Sequence, residues 1–222
     1  KRAQYDRAYA RAYTTCVRRM RTTVEIRSSM SLSAASVQRM MDVEAVWEID
    51  RLGGIRIILQ VQRNTEFPEL PRFGLRLFLD GRFRQVSYCG LGPYESYADK
   101  HQASCYGRYH TEVEGLHEDY IRPQENGSHS GCDYVMLSDE AFGLAAASEQ
   151  RFSFNASVYT LEELEKKTHN YELESSGSTV LCLDYAQNGI GSNSCGPMVP
   201  ARYRFDEENF TFCIKLVPYR KN

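Results

Sequence analysis

What is missing from this chain of 222 residues narrows its possible roles before any motif is considered. No apolar run approaches the length of a membrane-spanning helix, and the residues after Lys1 make no signal-peptide pattern. Neither sign of charge dominates, with 27 Lys+Arg against 29 Asp+Glu, which argues against a general binder of nucleic acid or anionic membrane. The seven cysteines (Cys16, Cys89, Cys105, Cys132, Cys182, Cys195 and Cys213) are odd in number and contain no Cys-x-x-Cys pair. A secreted disulfide framework would show an even count, so the sequence sets the expectation of a cytoplasmic protein. The sequons at Asn126, Asn155 and Asn209 would matter only in a eukaryotic secretory pathway.

Metal and cofactor signatures are equally scarce. His117-Glu118 lacks the second histidine of a zincin site, and the cysteines lack zinc-site spacing. Gly189-Ile190-Gly191 lacks the third glycine of a dinucleotide fingerprint and its strand–helix setting. No linker, repeat or low-complexity segment divides the chain; Ser175-Ser176-Gly177-Ser178 reads as a turn.

What is present is alternation. Val24 to Leu32, Val37 to Ile49, Ile55 to Gln62, Phe73 to Leu79 and Arg84 to Leu91 read as strands. So do Tyr106 to Val113, Tyr134 to Leu137, Phe152 to Tyr159, Thr179 to Tyr185 and Tyr203 to Tyr219. Long antiparallel strands with short links imply an all-β sandwich, and a chain this size buries roughly 70–75% of its unfolded surface. Thr160-Leu161-Glu162-Glu163 is a capping box that predicts one short helix. Tyr5, Tyr9 and Tyr13 recur every fourth residue, which predicts one face of a short helix in a basic segment.

Three polar loops stand out. Gly90-Leu91-Gly92-Pro93-Tyr94-Glu95-Ser96-Tyr97-Ala98-Asp99-Lys100-His101 carries two tyrosines, two carboxylates, a lysine and a histidine. Tyr120-Ile121-Arg122-Pro123-Gln124-Glu125-Asn126-Gly127 follows, and then Asn188-Gly189-Ile190-Gly191-Ser192-Asn193-Ser194-Cys195-Gly196-Pro197. A glycosidase would draw two carboxyl groups about 5–5.5 Å apart from such loops if it acts with retention. The loop candidates are Glu95, Asp99, Glu118, Asp119 and Glu125, each of which also serves as a turn or ion-pair residue. No base pairs with any particular cysteine, and none of His101, His117 and His169 pairs with a glutamate as an epimerase would require.

In this order and spacing, and with Phe67-Pro68-Glu69-Leu70-Pro71-Arg72-Phe73-Gly74 and Phe152-Ser153-Phe154-Asn155, the three loops resemble the C-terminal β-sandwich domain of bacterial glycoside hydrolase family 2 β-galactosidases. The resemblance implies a large antiparallel supersandwich of galactose mutarotase-like type with one or two short helices, occupying residues 1–222 as one domain. The family's Arg-Ala-Pro-x-Asp-Asn-Asp loop and first strands have no counterpart, so a fragment of a longer protein is expected. Both catalytic glutamates of the family lie on an upstream (β/α)8 barrel, as do its Mg2+ and its Na+ or K+, so no catalytic or metal residue is expected here. Asn193, Ser194 and Cys195 are the substrate-binding candidates; Cys195 stands where the best-known members carry a tryptophan that stacks on the sugar beyond galactose.

The expected partners are that barrel or a separate large subunit, a galactoside such as lactose, and further copies of a homo-oligomeric parent. No nucleic acid or membrane is expected. Two other readings remain open, a small subunit of a two-chain enzyme and a standalone mutarotase-like epimerase or sugar-binding module.

Overall fold

The computed structural model describes residues 3–190 and 198–221. Eleven strands run in chain order among these: β1 (Tyr9–Arg19), β2 (Thr23–Ser33), β3 (Met41–Asp50), β4 (Ile55–Arg63), β5 (Arg72–Asp80) and β6 (Gln85–Gly92). They continue with β7 (Cys105–Glu112), β8 (Ser128–Ser138), β9 (Phe142–Ser157), β10 (Ser178–Gln187) and β11 (Asn209–Arg220). All pairings are antiparallel, in the order β1-β2-β3-β4-β11-β9-β8-β6-β7, with β10 joined to β9 and to β5. The expected all-β class is what the chain adopts.

The alternation explains which faces are buried. In β4 the side chains of Ile57, Leu59 and Val61 point inward while Arg56, Gln60 and Gln62 are drawn outward or partly exposed. β11 answers with Phe210, Phe212, Ile214 and Leu216, and the register sets Phe212 opposite Leu59 and Ile214 opposite Ile57. The β5–β10 pair folds over this face, with the Tyr185 ring stacked on Phe210 at 4.8 Å and Phe73 edge-on to it at 5.1 Å.

β9 makes the corner. Its first half, Phe142 to Ala147, lies between β8 and β11; its second half, Ser153 to Ser157, lies beside β10. Where β9 leaves β11, the Ser148 hydroxyl donates to the Cys213 carbonyl at 2.7 Å, so the parting backbone is not left unsatisfied. Both sets of strands therefore share one core.

Three sequence expectations change. Tyr5–Arg7 is a single 3-10 turn and Tyr9 and Tyr13 lie on β1, paired with β2 from Tyr9 opposite Ser33 to Arg19 opposite Val24. A four-residue spacing also keeps side chains on one face of a strand, and Thr14, Thr15 and Val17 favour that choice. The first half of β9 was not anticipated, because Ala145, Ala146 and Ala147 carry little strand propensity. The capping box forms in part: α1 (Leu161–Lys166) starts with the Glu163 amide donating to Thr160 Oγ1 at 3.1 Å. The Glu163 carboxylate instead accepts from the Glu174 amide at 3.0 Å.

Phe212 is 1% exposed at the centre of this core. Replacing it with alanine is expected to cost about 3–5 kcal/mol in a urea unfolding experiment.

Candidate functional site

The first polar loop is built around a buried carboxylate. β6 ends at Gly92, the Gly92–Pro93 peptide is cis, and the chain then turns Glu95 inward. The Glu95 side chain is only 4% exposed. It accepts from the Gly127 amide at 2.8 Å, from the Tyr120 hydroxyl and from the Lys100 ammonium. Burial opposes its charge, but these three donors prevail and hold its pKa below the ordinary carboxylate range. Lys100 Nζ also lies over the Tyr120 ring, 5.3 Å from its centroid. Around Glu95, the Ser96 amide donates to the Ser128 carbonyl at 2.7 Å, and Ser96 Oγ accepts from the Ser130 amide at 2.8 Å. The first loop and the Tyr120–Gly127 loop are thereby one unit.

A second ionic group lies where β5 and β10 meet. Arg72, at the start of β5, donates from Nη2 and Nε to the two oxygens of Asp184 at 2.5 and 3.2 Å. Its remaining nitrogen, Nη1, donates to Glu125 Oε2 at 3.0 Å. Gln187 Nε2 closes the far side of Asp184 at 2.9 Å. The Asp184 side chain is 3% exposed, and the residue opposite it in β5 is Gly74. A Cβ at position 74 would collide with the Leu183 carbonyl oxygen and come within 2.6 Å of Asp184 Oδ1, so the glycine makes room for the β10 backbone as well as for the carboxylate.

Electrostatics in this group are unbalanced, with one guanidinium between two carboxylates. Burial opposes the Arg72 charge, yet Asp184 and then Glu125 hold it firmly protonated. Burial also raises Asp184, against the pull of Arg72. It pushes Glu125 up to about 7, only partly offset by Arg72. Glu125 Oε1 is shielded from solvent and has no hydrogen-bond partner.

The described end of the third loop is bonded to residues beside both groups. Asn188 donates its amide to the Pro71 carbonyl at 2.9 Å and accepts from the Phe205 amide at 2.5 Å through Oδ1. The Ile190 amide donates to Asp99 Oδ1 at 3.0 Å. A cavity of about 420 Å³ is lined here by Arg72, Tyr97, Glu125, Leu164, Gly189 and Val199, among others. A neighbouring cavity of about 590 Å³ is lined by Tyr94, Glu95, Asp99, His101 and Glu118, among others. The substrate-binding candidates Asn193, Ser194 and Cys195 lie outside the described residues.

The remaining candidates have local roles. His117 Nε2 faces Asp119 Oδ1 at 3.4 Å, and His101 Nδ1 lies 3.2 Å from the Tyr97 carbonyl oxygen. His169 does meet a glutamate: Glu172 accepts from the Thr168 and His169 amides, which lower it to about 2, and the pair caps the 3-10 turn Asn170–Glu172. Among the described residues, no group of three or more His, Cys, Asp or Glu side chains is arranged to hold a metal ion. Sequence reasoning passed over Asp184 and Gln187. The available signal was an acidic residue directly after the apolar run Val180-Leu181-Cys182-Leu183, since a lone buried carboxylate requires a partner.

Comparison with known proteins places these loops in context. A family model described as beta galactosidase small chain matches residues 1–216. A β-galactosidase of Actinobacillus pleuropneumoniae is 42% identical over 215 residues, covering 97% of this chain and 21% of that protein. A β-galactosidase of Staphylococcus xylosus is 41% identical over 170 residues, 77% of this chain and 17% of that protein. The chain thus spans about a fifth of the length of these curated relatives. A solved GalM/aldose epimerase homologue from C. elegans aligns over 94% of this chain and 69% of its own, with a TM-score of 0.42 and 10% identity, a likeness too distant to carry an argument.

The raised pKa of Glu125 has a consequence of definite sign. The folded state holds this proton more tightly than the unfolded chain, so its contribution is complete below about pH 4.5 and is lost as pH rises through about 7. Unfolding free energy measured from pH 5 to 8 should therefore fall by an amount on the order of 2 kcal/mol, and Glu125→Gln should reduce that fall. Glu95, lowered instead, loses its contribution only in the acid limb below the ordinary carboxylate range.

Proposed function

This chain belongs to the β-galactosidase small-chain family, and from that premise we propose that it is a non-catalytic domain of a β-galactosidase. The parent would hydrolyse terminal non-reducing β-D-galactosyl bonds, as in lactose, with retention, using carboxylates on a separate (β/α)8 barrel. On this reading Mg2+ and Na+ or K+ belong to the barrel. The present chain walls the mouth of the active site and supports subunit assembly in a cytoplasmic homo-oligomer. No helix among the described residues is long and apolar enough to cross a membrane.

The observation that carries the reading is the alignment to a β-galactosidase over 97% of this chain but 21% of that enzyme. The loop fastening supports it: Glu95, Glu125 and Asp99 are each engaged in holding backbone or a guanidinium, which is scaffold work rather than glycosyl transfer. An arrangement of this kind fits a rigid rim around a site whose reacting groups are supplied by a neighbouring domain.

A second reading, the small subunit of a two-chain enzyme, draws on the small-chain description of the matching family. The size of the native protein in a cell lysate separates the two. A band several times larger than 25.5 kDa supports a domain of a single chain; a band only modestly larger supports a separate subunit.

The intact protein should release galactose from lactose first as the β-anomer, read by proton NMR, and the 222-residue chain alone should release none. Appearance of the α-anomer first, or turnover by this chain alone, contradicts the proposal. Cys195→Trp in the intact protein should tighten inhibition by glucose-like acceptors about three- to tenfold, as one added stacking contact would.

A further inference from the structure

The residues that lead into the third loop are held by a clamp that lies outside both ionic groups. Asp99 sits on a tight turn closed by reciprocal backbone bonds, from the Tyr97 amide to the Lys100 carbonyl at 2.8 Å and from the Lys100 amide to the Tyr97 carbonyl at 3.1 Å. The side chain of Lys100, next along, is tied to the buried Glu95. The turn is thus fixed at both its backbone and its base, and it presents the Asp99 carboxylate to the backbone of another loop.

What it grips is specific. Asp99 Oδ1 accepts from the Ile190 amide at 3.0 Å, a bond between residues 91 positions apart. Gly189, immediately before, is in such close contact with the same carboxylate that a Cβ there would lie 2.6 Å from Asp99 Oδ1. A carboxylate accepting from a backbone amide is a charge-assisted bond, stronger and more directional than a neutral one. Asp99 lines the cavity of about 590 Å³, and Gly189 and Ile190 line that of about 420 Å³, so the clamp stands where the first and third loops come together. On the other side, Asn188 is pinned by Pro71 and Phe205. Three consecutive residues are therefore held by three partners, Pro71, Asp99 and Phe205, from three parts of the chain.

We propose that Asp99 is a positioning residue that clamps Gly189 and Ile190 and thereby sets how the protein discriminates among the leaving groups of its galactosides. The role in discrimination rests on the reading given under Proposed function; the clamp itself does not. Asp99 acts through Ile190 and touches no reacting atom. Its effect falls on the binding of the leaving group, and the glycosyl chemistry common to all substrates is left alone.

Two measurements on the intact protein test this, using Asp99→Ala, Asp99→Asn and Gly189→Ala. The first is amide hydrogen exchange at Ile190. Asp99→Ala and Gly189→Ala should accelerate it about tenfold or more, and Asp99→Asn, which keeps a neutral acceptor oxygen but loses the charge, should fall between Asp99→Ala and the parent. An unchanged rate in Asp99→Ala overturns the clamp. The second is the ratio of kcat/KM for lactose to that for a nitrophenyl galactoside. It should shift about threefold or more in Asp99→Ala, through KM rather than kcat, and return in part in Asp99→Asn. Faster exchange with an unchanged ratio overturns the role in discrimination. A parent protein without galactosidase activity overturns the function reading and the specificity role together, while the exchange data still decide the clamp.

Discussion

The structure depends most on the pairing of Arg72 with Asp184. A carboxylate 3% exposed between two strands costs several kcal/mol to bury alone, and the bidentate guanidinium with Gln187 provides the compensation. That requirement fixes several other features. Arg72 must stay at the first position of β5, and Gly74, opposite Asp184, leaves room for both the carboxylate and the Leu183 backbone. The third donor of Arg72 then reaches across to Glu125 and draws the Tyr120–Gly127 loop onto the sheet. Removing Arg72 would leave two buried carboxylates facing each other.

Strand pairing brings the polar loops to one place. β9 spends its first half beside β11 and its second beside β10, so the edge formed by β5 and β10 closes over the same core as β4 and β11. The loops after β6, before β8 and after β10 emerge at that closure. There Glu95, Glu125 and Asp99 each bind a partner distant in sequence. Each of these contacts removes freedom from a loop that could otherwise move independently, which is how an all-β scaffold makes a rigid rim.

Much of the fold was legible in the sequence because half-buried strands advertise themselves by alternation. β4 is an example, with Ile57, Leu59 and Val61 inward and polar residues between them. β1 was misread because Tyr9 and Tyr13 are four apart, a spacing that one face of a helix and one face of a strand share. The loops were legible as polar and glycine-rich, and the family that they resemble is the one whose model matches residues 1–216. Their connections were not legible: Arg72 and Asp184 are 112 residues apart and Arg72 and Glu125 are 53 apart, and no local pattern links such positions.

The most direct test of this account is a double-mutant cycle on Arg72→Met and Asp184→Asn, read as unfolding free energy in urea. If the pair carries the junction of β5, β10 and the Glu125 loop, each single change is strongly destabilising and the double change costs much less than their sum. The expected coupling is about 1–3 kcal/mol. Costs that add to within about 0.5 kcal/mol would contradict the account, because the strands and loops would then be held together without the ion pair.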